Sequence, residues 1–233
     1  MSSSYRAELL SKLRETASGQ SAGRIELERN AMGSGNAPVI SAQNPSLTYL
    51  QNVLANQGSF TCVANRNEAV QAVGNYLYGH FRSHRLVAGN DPRLAAMPWR
   101  DAGVLPRFGS LEEGEPAALS YAKLGIVETG AVVTYTGKGN PCANHLLPEH
   151  HLVLVDVNDL VLNLEQAWEI INSDLEKGGR PRGINMIAGP SSTADIEGQL
   201  VYGAHGPRRW HVILLGEVPE ETRDLAEKNL PTN

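Results

Sequence analysis

Four apolar runs constrain this chain most: Phe60 to Ala64, Arg85 to Ala88, Leu152 to Val157 and Val212 to Leu215. None alternates strictly between apolar and polar residues, as a strand with one wet face does, so they predict strands buried on both sides. The stretches between them carry helical stripes. Pro45-Ser46 opens a helix with Leu47, Leu50, Val53 and Leu54 on one face, and Gly58 is placed to stop it. Asn65 can cap a second helix, Asn67 to Phe81, whose inward stripe is Ala69, Val70, Val73, Leu77 and Phe81. Asn163 can cap a third, Leu164 to Glu176, which Gly178-Gly179 terminates. Helix alternating with buried strand predicts an α/β fold, a three-layer, largely parallel sheet with helices on both faces.

The remaining segments are less regular. Tyr5, Leu9, Leu10 and Leu13 share one face of a first helix, and Thr16 to Gln43 turns to Gly, Ser, Asn and Ala, the composition of a linker or flexible arm. Asp91 to Gly114, punctuated by Pro92, Pro98 and Pro106, predicts an irregular segment with one or two short helical or strand pieces. Ala117 to Lys123 predicts a helix, and Gly125 to Thr136 two strands broken at Thr129-Gly130. The tail after Gly216 predicts a solvent-facing helix with opposite charges at helical spacing. The expected organisation is an N-terminal helix and arm over 1–42, one domain over 43–216 and a tail helix over 217–233.

Composition excludes several function classes. The net charge is −5, without a Lys/Arg block that could follow a phosphate backbone, which argues against nucleic acid as a partner. No apolar run approaches the ~20 residues that span a bilayer, and the N-terminal residues lack a signal-peptide pattern, so a cytoplasmic protein is expected. Cys62 and Cys142 are the only cysteines in the sequence and lie far apart, too few for a disulfide framework or a four-thiolate iron–sulfur site.

Met186 to Gly216 concentrates the chemistry. Ile184 to Ala188 predicts a buried strand ended by Gly189-Pro190, after which Ser191, Ser192 and Thr193 can cap a helix opening at Ala194-Asp195-Ile196. The unpaired N–H groups of such a helix start favour an anion. Gly203-Ala204-His205-Gly206-Pro207 then makes a turn that carries one imidazole.

These motifs also carry a resemblance. GPSSTADIE (189–197), GAHGP (203–207) and WHVILL (210–215), with Glu128-Thr129-Gly130-Ala131 and Leu147-Pro148-Glu149-His150, resemble the signature of the LUD-domain family of lactate-utilization proteins over about Gln43 to Gly216. Ser192 departs from the pattern by standing where the family's motif has a basic residue. The resemblance implies a fold like that of sugar-phosphate isomerases, CoA transferases and formyltetrahydrofolate cyclo-ligases. It implies participation in oxidation of L-lactate to pyruvate beside iron–sulfur partner proteins, and with two cysteines the chain itself is expected to be the non-redox component, without a cofactor. The alternative is an independent enzyme or sensor for a CoA-, folate- or sugar-phosphate-like anion.

Each candidate residue has a bland reading beside its chemical one. Glu128, at a strand end before a glycine, is either an acid, base or nucleophile or a carboxylate bonded to neighbouring amides. His205 either polarises a bound carbonyl or pins its loop. Ser191, Ser192, Thr193 and Asp195, with Thr129, Gly130 and Gly206, either line an anion site or cap and turn their own backbone. Cys142, His145, Glu149, His150 and His151 are zinc-ligand types, but only Cys142 and His145 have a paired spacing, and adjacent histidines point apart on a strand. That stretch is expected to be a turn, with no metal. Gly137-Lys138-Gly139-Asn140-Pro141 lacks the helix start of a dinucleotide fingerprint, leaving Lys138 to meet an anion.

Overall fold

A computed structural model describes residues 3–16, 22–33, 43–178, 180–196 and 198–228. The chain divides into two compact units, Met1–Pro38 and Val39–Asn233. In the first, α1 (Ser3–Thr16) bears the expected helical stripe, and α2 (Ala22–Ala31) stands inside the stretch expected to be an arm. Arg24 and Glu28, 3.0 Å apart one turn along α2, add an exposed i,i+4 pair worth roughly 0.2–0.5 kcal/mol to that helix. The rest of the expected arm, 17–21 and 34–42, lies outside the described residues.

The second unit is built on six strands: β1 (Ser59–Val63), β2 (Arg85–Ala88), β3 (Leu105–Phe108), β4 (Ala117–Tyr121), β7 (His150–Asp156) and β12 (Arg209–Leu215). All pair in parallel, in the order β1-β12-β7-β4-β2-β3. Helix α4 (Arg66–Phe81) covers one face, packing Val70, Val73 and Leu77 on Leu152, Leu154 and Ile213. Helix α3 (Pro45–Ala55) covers the other, packing Tyr49, Leu50 and Val53 on Val153, Val212 and Leu214. Helix α4 begins at the predicted cap, Asn65, whose side chain accepts from the Glu68 amide, and α3 opens at Pro45 as expected, with Asn44 before it accepting from the Leu47 amide. The α/β reading therefore holds.

Four differences follow from tertiary context. Ala117 to Tyr121 is strand β4 instead of a helix, because five fully buried positions between β2 and β7 outweigh alanine's helical propensity. The two strands of Gly125 to Thr136 form as β5 (Leu124–Ile126) and β6 (Ala131–Thr136), but in a separate sheet with β8 (Leu160–Val161) and β9 (Gly183–Ile187), ordered β8-β5-β6-β9. Strand β9 is thus a half-exposed edge, not a buried strand. Helix α7 (Leu164–Gly178) packs Ala167 and Ile171 on this sheet, while Trp168 is 44 % exposed. The tail helix α8 (Glu220–Lys228) is not simply solvent-facing, since Thr222 and Ala226 are buried and Asn44 Nδ2 donates to the Thr222 hydroxyl at 3.0 Å.

The segment after β2 holds α5 (Pro92–Ala95) and a turn of 3-10 helix before edge strand β3, and α6 (Ala143–Leu146) precedes β7. Among the described residues no helix is long and apolar enough to cross a membrane.

Candidate functional site

The loop after Gly189-Pro190 does not open a helix. Ser192–Ile196 is strand β10, folded back antiparallel on β11 (Gln199–Tyr202) with Ser192 opposite Tyr202 and Thr193 opposite Val201. A hairpin has no array of free N–H groups at its start, so the expected helix-terminus anion site does not form. Ser192 is exposed and Thr193 half-buried; the side chain of Asp195 lies outside the described residues.

The hairpin nevertheless brings two motifs together. Ser191 N donates to Pro207 O and Gly203 N to Ser191 O, both at 2.8 Å, so 189–191 and 203–207 form one knot. A Cβ on Gly206 would lie 3.0 Å from Ser191 Cβ and 3.4 Å from Leu146 O, which explains glycine there. Arg208 N and Arg209 N both donate to Glu149 O, at 2.8 and 3.1 Å, tying in the Leu147-Pro148-Glu149-His150 element. These loops lead into β7 and β12, so they gather at the amino ends of the central strands, the edge opposite the one expected for ligand loops.

Behind the knot stand residues that sequence reasoning did not join. His150 and Arg209 are register partners on β7 and β12, and His211 follows two positions along the same face. Tyr76 of α4 reaches His150 Nδ1 at 3.1 Å and stacks on His211, and His80 meets the His150 ring edge-on at 5.0 Å. Burial, then the charges of His80, Arg209 and Arg208, push the His150 imidazole down to about 4; burial does the same to His211. The two imidazoles are therefore neutral at pH 7, while Arg208 and Arg209 are exposed and have no ion pair among the described residues. Such an arrangement can hold a small anion at the arginines above a neutral, polar floor. His205 is exposed on the same loop. The missed signal was spacing: α4 runs antiparallel to the strands, which brings His80, fourteen residues into the helix, back to their amino ends.

Glu128 belongs to different surroundings. Its Oε1 accepts from Leu164 N, the first helical residue of α7, at 3.1 Å, and its Oε2 is buried without a partner among the described residues. The turn around it is held by α3: Asn52 Nδ2 donates to Val127 O and Glu128 O, and Asn56 Nδ2 to Thr129 O at 2.7 Å. Thr129 Oγ1 accepts from Ala131 N, and Gly130 has φ +67° with its Cβ position 2.6 Å from the Asn52 carbonyl carbon. Gly189 packs against Asn56 O, so Asn56 touches both motif turns, although no described contact joins Glu128 to Ser191 or His205.

The histidine-rich stretch is divided as expected of a strand. His151 lies on the face opposite His150, with Nε2 3.0 Å from Ser120 Oγ, and His145 is held by Asn185 and Asn140 at 3.0 and 3.2 Å. Burial lowers these imidazoles to about 3 and about 4. No group of three possible metal ligands occurs among the described residues.

Comparison with known proteins agrees with the motif arrangement. A family model described as the LUD domain matches residues 116–215. Lactate utilization protein C of Bacillus subtilis (strain 168) is 34% identical over 181 residues, 67% of this chain and 75% of that one. The corresponding proteins of Geobacillus kaustophilus (strain HTA426) and an Exiguobacterium species (strain ATCC BAA-1283 / AT1b) are 37% identical over 92 residues and 28% over 151. The matches cover 39% and 61% of this chain, and this chain spans only 38% and 66% of those relatives. A crystal structure of a DUF162 family protein from Deinococcus radiodurans superposes with a TM-score of 0.54 at 19% identity, covering 77% of this chain and all of that one, which shows a shared fold.

Proposed function

Because this chain belongs to the LUD-domain family, we propose that it serves lactate utilization as a non-redox component, beside iron–sulfur partner proteins that oxidise L-lactate to pyruvate. The observation that carries this reading is the likeness to the Bacillus subtilis relative across three quarters of that protein. The cysteines fit it. Cys62 sits on β1 with its thiol pushed up to about 11 by burial, and Cys142 is an exposed turn residue, so cluster thiolates are left to partner chains. In this reading the knot of 189–191 and 203–207 presents Arg208, Arg209 and His205 to a small carboxylate or to an acidic partner surface.

The test is a deletion strain grown on L-lactate as sole carbon source, complemented with a tagged copy of this chain. Restored growth, with iron–sulfur proteins retained on the tagged copy, supports the proposal. Unimpaired growth of the deletion strain, or a tagged copy that restores growth while retaining no such protein, overturns it.

A further inference from the structure

The connections of the main sheet reverse direction between β2 and β4: from β2 the chain runs outward to β3, and from β4 it passes through the second sheet to β7 on the other side. At such a point the carboxyl ends of neighbouring strands leave a crevice where ligands of open α/β sheets settle. Here it is a cavity of about 310 Å³ lined by Asn90, Arg93, Tyr121, Lys123, Tyr135 and Gly139. A second cavity of about 440 Å³ shares Lys123 and Tyr135 and adds Asp174, Lys177 and Arg180. Neither touches the loops of the candidate site described above.

The wall between the cavities is ordered. Lys123 Nζ lies 2.8 Å from Asp174 Oδ2, which also accepts from the Tyr135 hydroxyl at 3.0 Å. Arg93 forks onto Asp91 and stacks 3.8 Å from the centre of the Tyr121 ring. Lys177 and Arg180 are exposed and have no ion pair among the described residues, and neither has Lys138, which sits between Gly137 and Gly139 beside the first cavity. Of the four lining cations, Arg93 and Lys123 pair with Asp91 and Asp174 and also feel Asp156 and Asp159, so the positive surplus of the cavities is that of Lys177 and Arg180.

We propose that this double cavity binds a phosphorylated metabolite of about mononucleotide size, its phosphate between Lys123, Lys177 and Arg180 and its organic part between Tyr135 and Arg93. A phosphate ester carries about −1.5 to −2 charge in one group, matching the surplus, whereas a monocarboxylate such as lactate leaves half of it unmet. Lysine meets phosphate as a point charge and arginine adds a fork. Each cavity alone falls at the lower end of the roughly 300–1,000 Å³ typical of small-molecule sites, and the two together suit an elongated ligand. The site stands independently of the lactate reading.

Isothermal titration of the full chain with inorganic pyrophosphate and with AMP tests it. Both are expected to bind and to compete with each other, and Lys177→Glu combined with Arg180→Glu is expected to weaken both by about tenfold or more. Both side chains are exposed, so the variant should melt as the parent does; if it does not, Lys177→Gln with Arg180→Gln replaces it. Failure of pyrophosphate to bind at about millimolar concentration overturns the proposal, as does undiminished binding by the folded variant.

Discussion

Glu128 and Leu164 are joined by a hydrogen bond of 3.1 Å from the Leu164 amide to the Glu128 carboxylate, so a residue that reads as a nucleophile candidate completes the start of helix α7. A negative charge at a helix start contributes roughly 0.3–1 kcal/mol. Glu128→Gln keeps an acceptor and loses only the charge, so a loss of under about 1 kcal/mol in urea unfolding is expected, with Glu128→Ala costing about 1–2 kcal/mol. A Glu128→Gln chain of parental stability that fails to support growth on lactate would point instead to a chemical role.

Stability should fall as the solution is acidified from pH 7 to pH 5. His145, His211 and His151 titrate near 4, 4 and 3 in the fold, against an ordinary value near 6.5. The unfolded chain therefore takes up protons through this window while the folded chain does not, and stability rises with pH between the folded and unfolded values. Each histidine contributes on the order of 1–2 kcal/mol between pH 7 and pH 5. Urea midpoints measured across this range check the slope, and a flat profile contradicts the burial of these rings as neutral imidazoles.

Gly130 and Gly114 separate steric exclusion from backbone strain. Both have positive φ, +67° and +82°, but a Cβ meets the backbone of Asn52 at 2.6 Å in the first and nothing within 4 Å in the second. Gly114→Ala should cost about 1 kcal/mol and Gly130→Ala clearly more, about 3 kcal/mol. Equal costs in thermal unfolding would mean that the turn at Gly130 is not seated on α3.

Arg208 and Arg209 offer the functional counterpart. Neither has an ion pair among the described residues, so Arg208→Ser with Arg209→Ser should leave unfolding within about 0.5 kcal/mol of the parent. The same variant is expected to impair complementation on L-lactate. Full complementation would remove these arginines from the working surface.

Tyr76 donates order to the histidine floor through its hydroxyl, 3.1 Å from His150 Nδ1. Tyr76→Phe leaves that nitrogen unpaired, and a loss of about 1–3 kcal/mol in denaturant unfolding is expected. No change would show that the bond contributes nothing net.

What the amino-acid sequence determined by itself was local. The caps at Asn65 and Asn163, the break at Thr129-Gly130 and the apolar runs that became β1, β2, β7 and β12 are all legible, because caps, turns and buried strands are set by residues within a few positions of one another. Tertiary structure decided which neighbours those segments met. Ala117 to Tyr121 became a strand because it lies between β2 and β7, and Ser191 to Asp195 became a hairpin arm because Gly203 and Pro207 return to bond Ser191. The same holds for the candidate site. Its motifs were visible singly, yet the meeting of Tyr76, His80, His150 and Arg209 depends on α4 running back over the sheet, a relation between residues 59 to 74 positions apart that no local pattern encodes.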